Sequence, residues 1–337
     1  MADHPDVRRR RRVTLADVAQ EAGVSRALVS IVMRDVAGAS PATRERVLVA
    51  AKALGYRPDP RARALAGQGS KLIGVMFGVT GSFHLDLLDG LYAAAEDSGY
   101  DLILSALTRG RDEERAVQSL QDFRFDALVM LEPPTPTPLM AGEIPLVVMG
   151  WQVDHPEVDS VRTSDAHGMS LAVGHLADLG HRRIVHLDGG DTPTGQHRRD
   201  AYLAAMHERG LGDEIVVVPA GVSQLDGQRA ARALLHDHDL PTAVIGYNDD
   251  VAVGALGILA LHGVDIPGQV SVIGWDDNAV AQLAPFELTT VAQQPFEMAR
   301  LGLERLIARI NGEAVSGTDI VLEPELLVRS TTAAPPM

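Results

Sequence analysis

The chain has no cysteine, few aromatic residues and no long apolar run. The absence of cysteine from all 337 residues excludes a disulfide framework and a thiolate metal site. No stretch of about 18 apolar residues occurs, so we expect no membrane-spanning helix. The N-terminus is charged but is not followed by an apolar run, which is unlike a signal peptide. These absences favour a protein of the cytoplasm.

Common catalytic and nucleotide-binding motifs are missing as well. The stretch "GVMFGVTG" is rich in glycine, but it is neither a Walker loop nor G-x-G-x-x-G, and no G-x-S-x-G elbow occurs. The histidines of "HLADLGHRRIVH" and "HDH" lack H-E-x-x-H spacing and companion cysteines, so solvated helix ends are favoured over a metal site. The sequence therefore predicts no catalytic residue, no metal and no cofactor.

The charge, by contrast, is unevenly distributed. Residues 1–70 hold 13 Arg and Lys against 7 Asp and Glu, whereas residues 71–337 hold 17 against 38, and the whole chain has a net charge of −15. A basic module joined to an acidic body usually binds nucleic acid. Residues 1–12 include five consecutive arginines, and we expect a disordered basic arm there, although a plain solvated tail would have the same composition.

Residues 13–57 have the capping pattern of three short helices. Thr14 and Asp17 form a capping box before the first helix, and Ser25 caps the second after a glycine turn. Ser40 caps the third, which has proline at its first position. The pattern is typical of a helix-turn-helix, whose second helix enters the major groove of DNA. Any three-helix bundle could show the same spacing.

Residues 58–70 form a linker that contains prolines and then a short helix-compatible stretch. Isolated helices need about 12–15 residues to persist in water, so this one is too short to be stable alone. Such a linker makes sense if contact with DNA completes its helix.

From residue 71 onward, strand-like runs alternate with helical stretches. The runs are 72–79, 101–107, 126–131 and 145–150, followed by "RRIVHLDG", "EIVVVPA", "TAVIGY" and "SVIGWD". Short runs rich in Val and Ile, separated by helices, indicate parallel sheets built from βαβ units. Two successive sets predict an α/β body with two Rossmann-like lobes. Its ligand is expected at the carboxyl ends of the strands, in the cleft between the lobes.

Side chains suited to a polyol follow several of these strands. Trp151 and Trp275 could each stack on a sugar face, although a position in the core is the plain alternative. Asp276 can accept hydroxyl protons, and Asn248 can both donate and accept. Arg198, on the helix after "HLDGG", can reach back to the cleft as a fork-shaped donor.

Residues 13–67 resemble the DNA-binding headpiece of the lactose-repressor (LacI/GalR) family of bacterial transcription factors. The matching pieces are "TLADVAQEAGVS", the "VS" of the second helix, "TRERV", "GYRP" and "ARALAG", and the resemblance continues to about Ser330. It implies an all-α helix-turn-helix headpiece, a hinge helix at 58–70, and a two-lobed effector domain at 71–337 that is similar to periplasmic binding proteins. Crossovers between the lobes are implied near residues 163, 290 and 320. The implied partners are a palindromic double-stranded DNA operator, a second copy of the chain and a small effector, a sugar.

The resemblance also implies the site residues. The DNA contacts are Thr14, Ser25, Arg26, Ala27, Ser30, Ile31, Arg34, Ser40, Thr43, Tyr56, Arg61 and Leu65. Leu65 is the hinge leucine that wedges between the central base pairs. Ile31 stands where the family often has an arginine that reads guanine, and isoleucine cannot make that bidentate contact.

For the effector, the family pattern matches Arg198, Asn248 and Asp276. It adds Phe83 and His84, which stand where the family has an "NPFF" loop and this chain reads "GSFH", and Gln293. With the two tryptophans, the predicted effector contacts are Phe83, His84, Trp151, Arg198, Asn248, Trp275, Asp276 and Gln293.

Three functional classes follow from these observations. The leading one is a DNA-binding transcriptional repressor whose operator affinity is controlled by a small ligand. The second is a sugar-binding protein of the periplasmic kind without a DNA role, against which the headpiece and the absent signal peptide count. The third is an enzyme acting on a sugar or nucleotide, for which the sequence offers no nucleophile, metal site or phosphate loop.

Overall fold

A computed structural model of the chain describes residues 13–33, 36–56, 69–79, 81–136, 139–236, 240–284 and 286–336. The chain divides into two compact units, Met1–Ser70 and Lys71–Met337. The predicted basic arm, most of the predicted linker, and three predicted DNA contacts lie outside the described residues. Those contacts are Arg34, Arg61 and Leu65.

The described part of the first unit contains three helices, α1 (Leu15–Ala22), α2 (Arg26–Met33) and α3 (Pro41–Leu54). The predicted capping box is confirmed, because Asp17 N donates to the Thr14 hydroxyl and Thr14 N donates to the Asp17 carboxylate at 2.8 Å. The turn after α1 needs Gly23, whose φ of 65° lies in the left-handed region. Valines from all three helices form the buried core, namely Val18, Val29, Val32 and Val47.

The second unit contains two six-stranded sheets. The first sheet consists of β1 (Leu72–Gly78), β2 (Asp101–Leu107), β3 (Ala127–Leu131), β4 (Leu146–Met149), β5 (Val158–Thr163) and β11 (Asp319–Leu322). The second consists of β6 (Ile184–Asp188), β7 (Val216–Pro219), β8 (Ala243–Gly246), β9 (Ser271–Asp276), β10 (Thr289–Ala292) and β12 (Glu325–Leu327). Their strand orders are β11-β5-β4-β3-β1-β2 and β12-β10-β9-β8-β6-β7.

Seven helices cover these sheets in the described part of the second unit. They are α4 (Phe83–Ala95), α5 (Glu113–Gln121), α6 (Asp165–Asp178), α7 (Pro193–Glu208), α8 (Gln224–His236), α9 (Asp249–Leu261) and α10 (Pro295–Ile310), with a 3-10 turn at Gly212–Glu214. Each sheet has an apolar core on both faces, which explains the continuous apolar runs of its central strands. No described helix is long and apolar enough to cross a membrane.

Each sheet with its helices forms one lobe, and the chain crosses between the lobes three times. It leaves the first lobe after Thr163, returns after Ala292 and leaves again after Leu322, as the predicted crossovers require. One strand departs from the expected parallel arrangement, because β12 pairs antiparallel with β10. β11 ends at the cleft, and only two residues separate it from β12. The chain therefore enters the second sheet at the edge that faces the cleft, and β12 must run away from the cleft.

Candidate functional site

A cavity of about 650 Å³ lies between the lobes, where the carboxyl ends of strands from both sheets meet. Five of the predicted effector contacts line it, namely Phe83, His84, Arg198, Asn248 and Asp276. Several other residues that line the cavity were not predicted from the sequence, among them Arg109, Glu132, Thr192, Thr194 and Tyr247. Glu132 and Tyr247 directly follow β3 and β8, and that position was the signal by which they could have been found.

Arg198 of α7 is a buried cation at the base of this cavity. Its Nε donates to Asp165 Oδ1 at 3.2 Å, and its NH1 donates to the carbonyl oxygen of Tyr247 at 2.8 Å. Its guanidinium carbon lies 4.7 Å from the ring centroids of both Tyr247 and Trp275. Burial by itself lowers the pKa of Arg198, but the surrounding Tyr247 and the carboxylates raise it above its ordinary value. The guanidinium is therefore a fixed cation with N–H groups left for a ligand.

His84, which is buried, and Glu132, which is partly buried, form a pair on the first-lobe wall. The two ring nitrogens of His84 lie 2.9 Å from the carbonyl oxygen of Gly78 and 3.1 Å from Glu132 Oε2. Burial lowers the pKa of His84, but the bond and charge of Glu132 and the Gly78 carbonyl raise it above its ordinary value. Burial raises the pKa of Glu132, but His84, Arg198 and the Thr194 hydroxyl lower it overall. These shifts favour a protonated His84 imidazolium beside an ionised Glu132 carboxylate. Glu132 also links the pair to the second lobe, through Thr194 and Arg198.

Asp276 is a buried acceptor at the end of β9. Its Oδ1 accepts a hydrogen bond from Gln293 Nε2 at 2.7 Å, so the predicted contact Gln293 positions Asp276 rather than lining the cavity. Burial raises the pKa of Asp276 well above its usual range, Arg198 opposes this, and the neighbouring Asp249 adds to it. Asp249 itself accepts from Thr290 at 2.6 Å, and burial raises its pKa to about 7.

Asn248 is the N-cap of α9, which limits what it can offer a ligand. Val251 N donates to its Oδ1 at 2.9 Å, and its Nδ2 donates to the carbonyl oxygen of Val222 at 3.1 Å. One N–H and one lone pair remain. Half of the hydrogen-bonding capacity of this amide, which was predicted to bind a polyol, is thus taken up by bonds within the protein.

Neither predicted tryptophan is brought to this cavity among the lining residues that the structure describes. Trp151 is buried in the first-lobe core, and its indole N–H donates to the carbonyl oxygen of Pro133 at 3.2 Å. Trp275 is fully buried in the second lobe, in a space that exists only because residue 168 is glycine. Packing of the sheet faces decides both positions, and Phe83 and Tyr247 supply the aromatic wall instead.

The lobes also touch at Ser82, which directly precedes α4. Its hydroxyl donates to Asp250 Oδ2 at 2.8 Å and accepts from Asn278 Nδ2 at 2.5 Å. Asp250 and Asn278 belong to the second lobe, so these bonds hold the two lobes together beside the cavity.

In the first unit, three of the predicted DNA contacts are helix caps. The hydroxyls of Thr14, Ser25 and Ser40 accept from the backbone of α1, α2 and α3, and Ser40 also bonds the Thr43 hydroxyl at 2.9 Å. Thr14, Ser25 and Ser40 are exposed at these helix N-termini, and Thr43 is half-buried. Helix N-termini bind phosphate oxygens readily.

The remaining predicted contacts lie on or near the second helix. Arg26 and Ala27 are exposed in its first turn, and Ser30 and Ile31 are half-buried. Ile31 lies against Gly38, where an added Cβ would touch it at 3.5 Å. Tyr56 packs against the core of the unit. The first turn of α2 is thus the part of this helix that most freely faces outward.

Two family descriptions match the chain. Bacterial regulatory proteins of the lacI family match residues 14–59, and a periplasmic binding protein-like domain matches residues 173–332. A similar relative, the HTH-type transcriptional regulator CelR of Thermobifida fusca, is 32% identical and covers 96% of this chain and 99% of its own.

Solved structures show the same likeness. The lac repressor dimer bound to operator and the anti-inducer ONPF has a TM-score of 0.84 at 27% identity, with 96% of this chain and 100% of that chain covered. The CelR–cellobiose complex has a TM-score of 0.70 at 29% identity, with 95% and 100% covered. The predicted family and fold class are confirmed. We conclude that this chain belongs to the lacI family of bacterial regulatory proteins and is a DNA-binding transcriptional regulator rather than an enzyme.

Proposed function

We propose that the chain is a homodimeric repressor whose affinity for a palindromic operator is controlled by a sugar bound in the cavity between its lobes. The observation that carries this proposal is that one chain has both a helix-turn-helix unit and a cavity with buried polar side chains at the carboxyl ends of two sheets. The relatives agree with it, since the lac repressor was solved as a dimer on operator and CelR with cellobiose. Such a protein would act in the cytoplasm.

The cavity has the chemistry that a sugar needs. Arg198 supplies donors, Asp276 and Glu132 supply acceptors, and Phe83 and Tyr247 supply apolar faces. The charge of Arg198 is already balanced by Asp165, Glu132 is paired with His84, and burial raises the pKa of Asp276 well above its usual range. A neutral polyol fits this balance better than a nucleotide or another strong anion.

The DNA contacts proposed for the first unit differ in exposure. We propose that Arg26 and Ala27, which are exposed in the first turn of α2, read base edges, and that the caps Thr14, Ser25 and Ser40 contact phosphates. Affinity should fall steeply with salt, because phosphate contacts release counterions.

The second unit carries an exposed apolar cluster suited to a second copy of the chain. Leu85 of the first lobe is 62% exposed, Leu225 of the second is 65% exposed, and both line one surface groove with Val79. Clustered exposed apolar side chains mark interaction surfaces. A two-fold operator also needs two headpieces.

A binding titration tests the proposal. Labelled DNA from beside the protein's own gene is titrated by fluorescence anisotropy, with and without a panel of monosaccharides, disaccharides and purines. We expect specific binding that one sugar shifts by about 5- to 150-fold, the usual range of allosteric coupling. Asp276→Ala should abolish this shift and leave ligand-free operator binding near wild type. Sugar binding without any DNA binding at low salt would support the sugar-binding protein instead.

A further inference from the structure

The outward face of α2 in the first unit is not equally exposed along its length. α2 contributes Val29 and Val32 to the buried core of this unit. At 3.6 residues per turn, Ile31 lies about 130° around the helix from the mean direction of these two valines, which places it on the outward half. A side chain there would ordinarily be exposed, yet Ile31 is half-buried. A segment outside this helix therefore covers part of it.

The covering segment is residues 36–39, the described part of the connection between α2 and α3, which we call the α2–α3 loop. Val36 N donates to the carbonyl oxygen of Ile31 at 3.2 Å. The Ile31 side chain lies against Gly38, where an added Cβ would be 3.5 Å from its Cγ2 and 3.8 Å from its Cδ1. The φ of Gly38 is 133°, which other residues rarely adopt, so the loop can take this path because residue 38 is glycine. Ile31 thus holds the loop through both its backbone and its side chain.

The α2–α3 loop leads directly to a group that is proposed to contact phosphate. Arg44 NH2 donates to the carbonyl oxygen of Val36 at 2.9 Å, which ties the loop to α3. The Ser40 hydroxyl caps α3 and accepts from Thr43 N at 3.3 Å. The loop and the first turn of α3 are therefore joined to α2 through Ile31. Phosphate contacts carry no base information, but they are stronger when the protein is already in the bound conformation, because a loose loop must be ordered when DNA binds.

We propose that Ile31 is a positioning residue for DNA binding, which holds the α2–α3 loop so that the N-terminus of α3 is presented to phosphate, and that it does not read a base. The residues of α2 left to meet base edges are then Arg26, Ala27 and Ser30, in its first two turns. This inference rests on the proposed phosphate contact of Ser40. It goes beyond the proposed function by dividing α2 into a reading part and a positioning part.

The test compares variants of the full-length protein. Binding-site selection from random double-stranded DNA gives the base preference, and fluorescence anisotropy gives the affinity for the selected duplex and for a scrambled duplex at the same low salt. Hydrogen–deuterium exchange of residues 36–39 reports how firmly the loop is held. Ile31→Ala removes both side-chain contacts with Gly38, and Ile31→Val keeps the Cγ2 contact. Arg26→Ala is the contrasting variant, since Arg26 is proposed to read a base.

We expect Ile31→Ala to weaken binding of both duplexes by the same factor, about 5- to 30-fold, which is the cost of ordering one more backbone residue on binding. The selected consensus should stay that of the wild type, and residues 36–39 should exchange faster. Ile31→Val should lie between Ile31→Ala and the wild type in affinity and exchange, and it decides the same comparison if the alanine variant does not fold. Arg26→Ala should change the consensus.

Two results would overturn the proposal. A changed consensus in Ile31→Ala, or weakening confined to the selected duplex, would show that Ile31 reads a base. Wild-type affinity together with wild-type exchange of residues 36–39 would show that the α2–α3 loop does not depend on Ile31. A wild-type protein that selected no DNA site at all would instead contradict the proposed function.

Discussion

Replacing Ser82 with alanine should weaken sugar binding by loosening the contact between the two lobes. The change removes the hydroxyl that donates to Asp250 and accepts from Asn278, whereas the bond from Ser82 N to Asp250 at 3.3 Å remains possible. The cavity wall is untouched, because Ser82 is not among the residues that line it. An effect on the sugar would therefore act through the position of the lobes or through the adjoining groove of Val79, Leu85 and Leu225, which Ser82 also lines.

The size of the effect follows from the two lost bonds. The bond to the Asp250 carboxylate is charge-assisted and the bond from Asn278 is neutral, so together they stabilise the closed lobes by about 1–2 kcal/mol after hydration of the half-buried Asp250. That loss moves the closing equilibrium by about 5- to 30-fold. Sugar affinity should fall by up to the same factor, because a ligand held by both lobes must then supply the closing free energy itself.

Isothermal titration with the tightest-binding sugar of the panel measures this change, and small-angle scattering of the ligand-free protein reports lobe opening. Ser119→Ala is the matched control, since Ser119 is exposed and its hydroxyl donates at 3.0 Å to a carbonyl oxygen of its own helix. Wild-type affinity and an unchanged radius of gyration in Ser82→Ala would show that these bonds do not set the lobe equilibrium.

Three further predictions concern other parts of the molecule. Glu132→Gln should lower the free energy of unfolding most between pH 4.5 and 6.5. The lowered pKa of Glu132 means that its carboxylate stabilises the fold above its unfolded pKa of 4.5, and the raised pKa of His84 means that its imidazolium stabilises the fold fully below 6.5. Urea unfolding across pH measures this, and a difference that did not shrink as pH rises past the pKa of His84 would refute it. Arg26→Ala should cost about 1–3 kcal/mol at one base step and relax the preference there, and an unchanged consensus from a binding-site selection would remove its reading role. Gly168→Ala should destabilise the second lobe by about 1–3 kcal/mol, since the new methyl group meets the buried Trp275 ring. Thermal unfolding checks this last change, and a wild-type midpoint would mean that the ring can move aside.

Local chemistry in the sequence determined much of the fold. The short side chains of Thr14, Ser25 and Ser40 cap backbone N–H groups three residues further on, so the three helix starts could be predicted from short stretches. Strand positions followed from runs of apolar residues, because strands buried on both faces need them throughout. The cavity position followed as well, since the carboxyl ends of parallel strands meet at one edge of each sheet.

The roles of individual site residues depended on contacts between distant parts of the chain. Trp151 and Trp275 both follow strands, yet packing against the sheet faces, not the strand end, decided that they are buried. Glu132 became a site residue only because His84, 48 positions earlier, and Arg198 from the other lobe lie beside it. Gln293 reaches Asp276 across neighbouring strands. The sequence records which groups can bond, but only the tertiary structure brings them within bonding distance and decides which are left for a ligand.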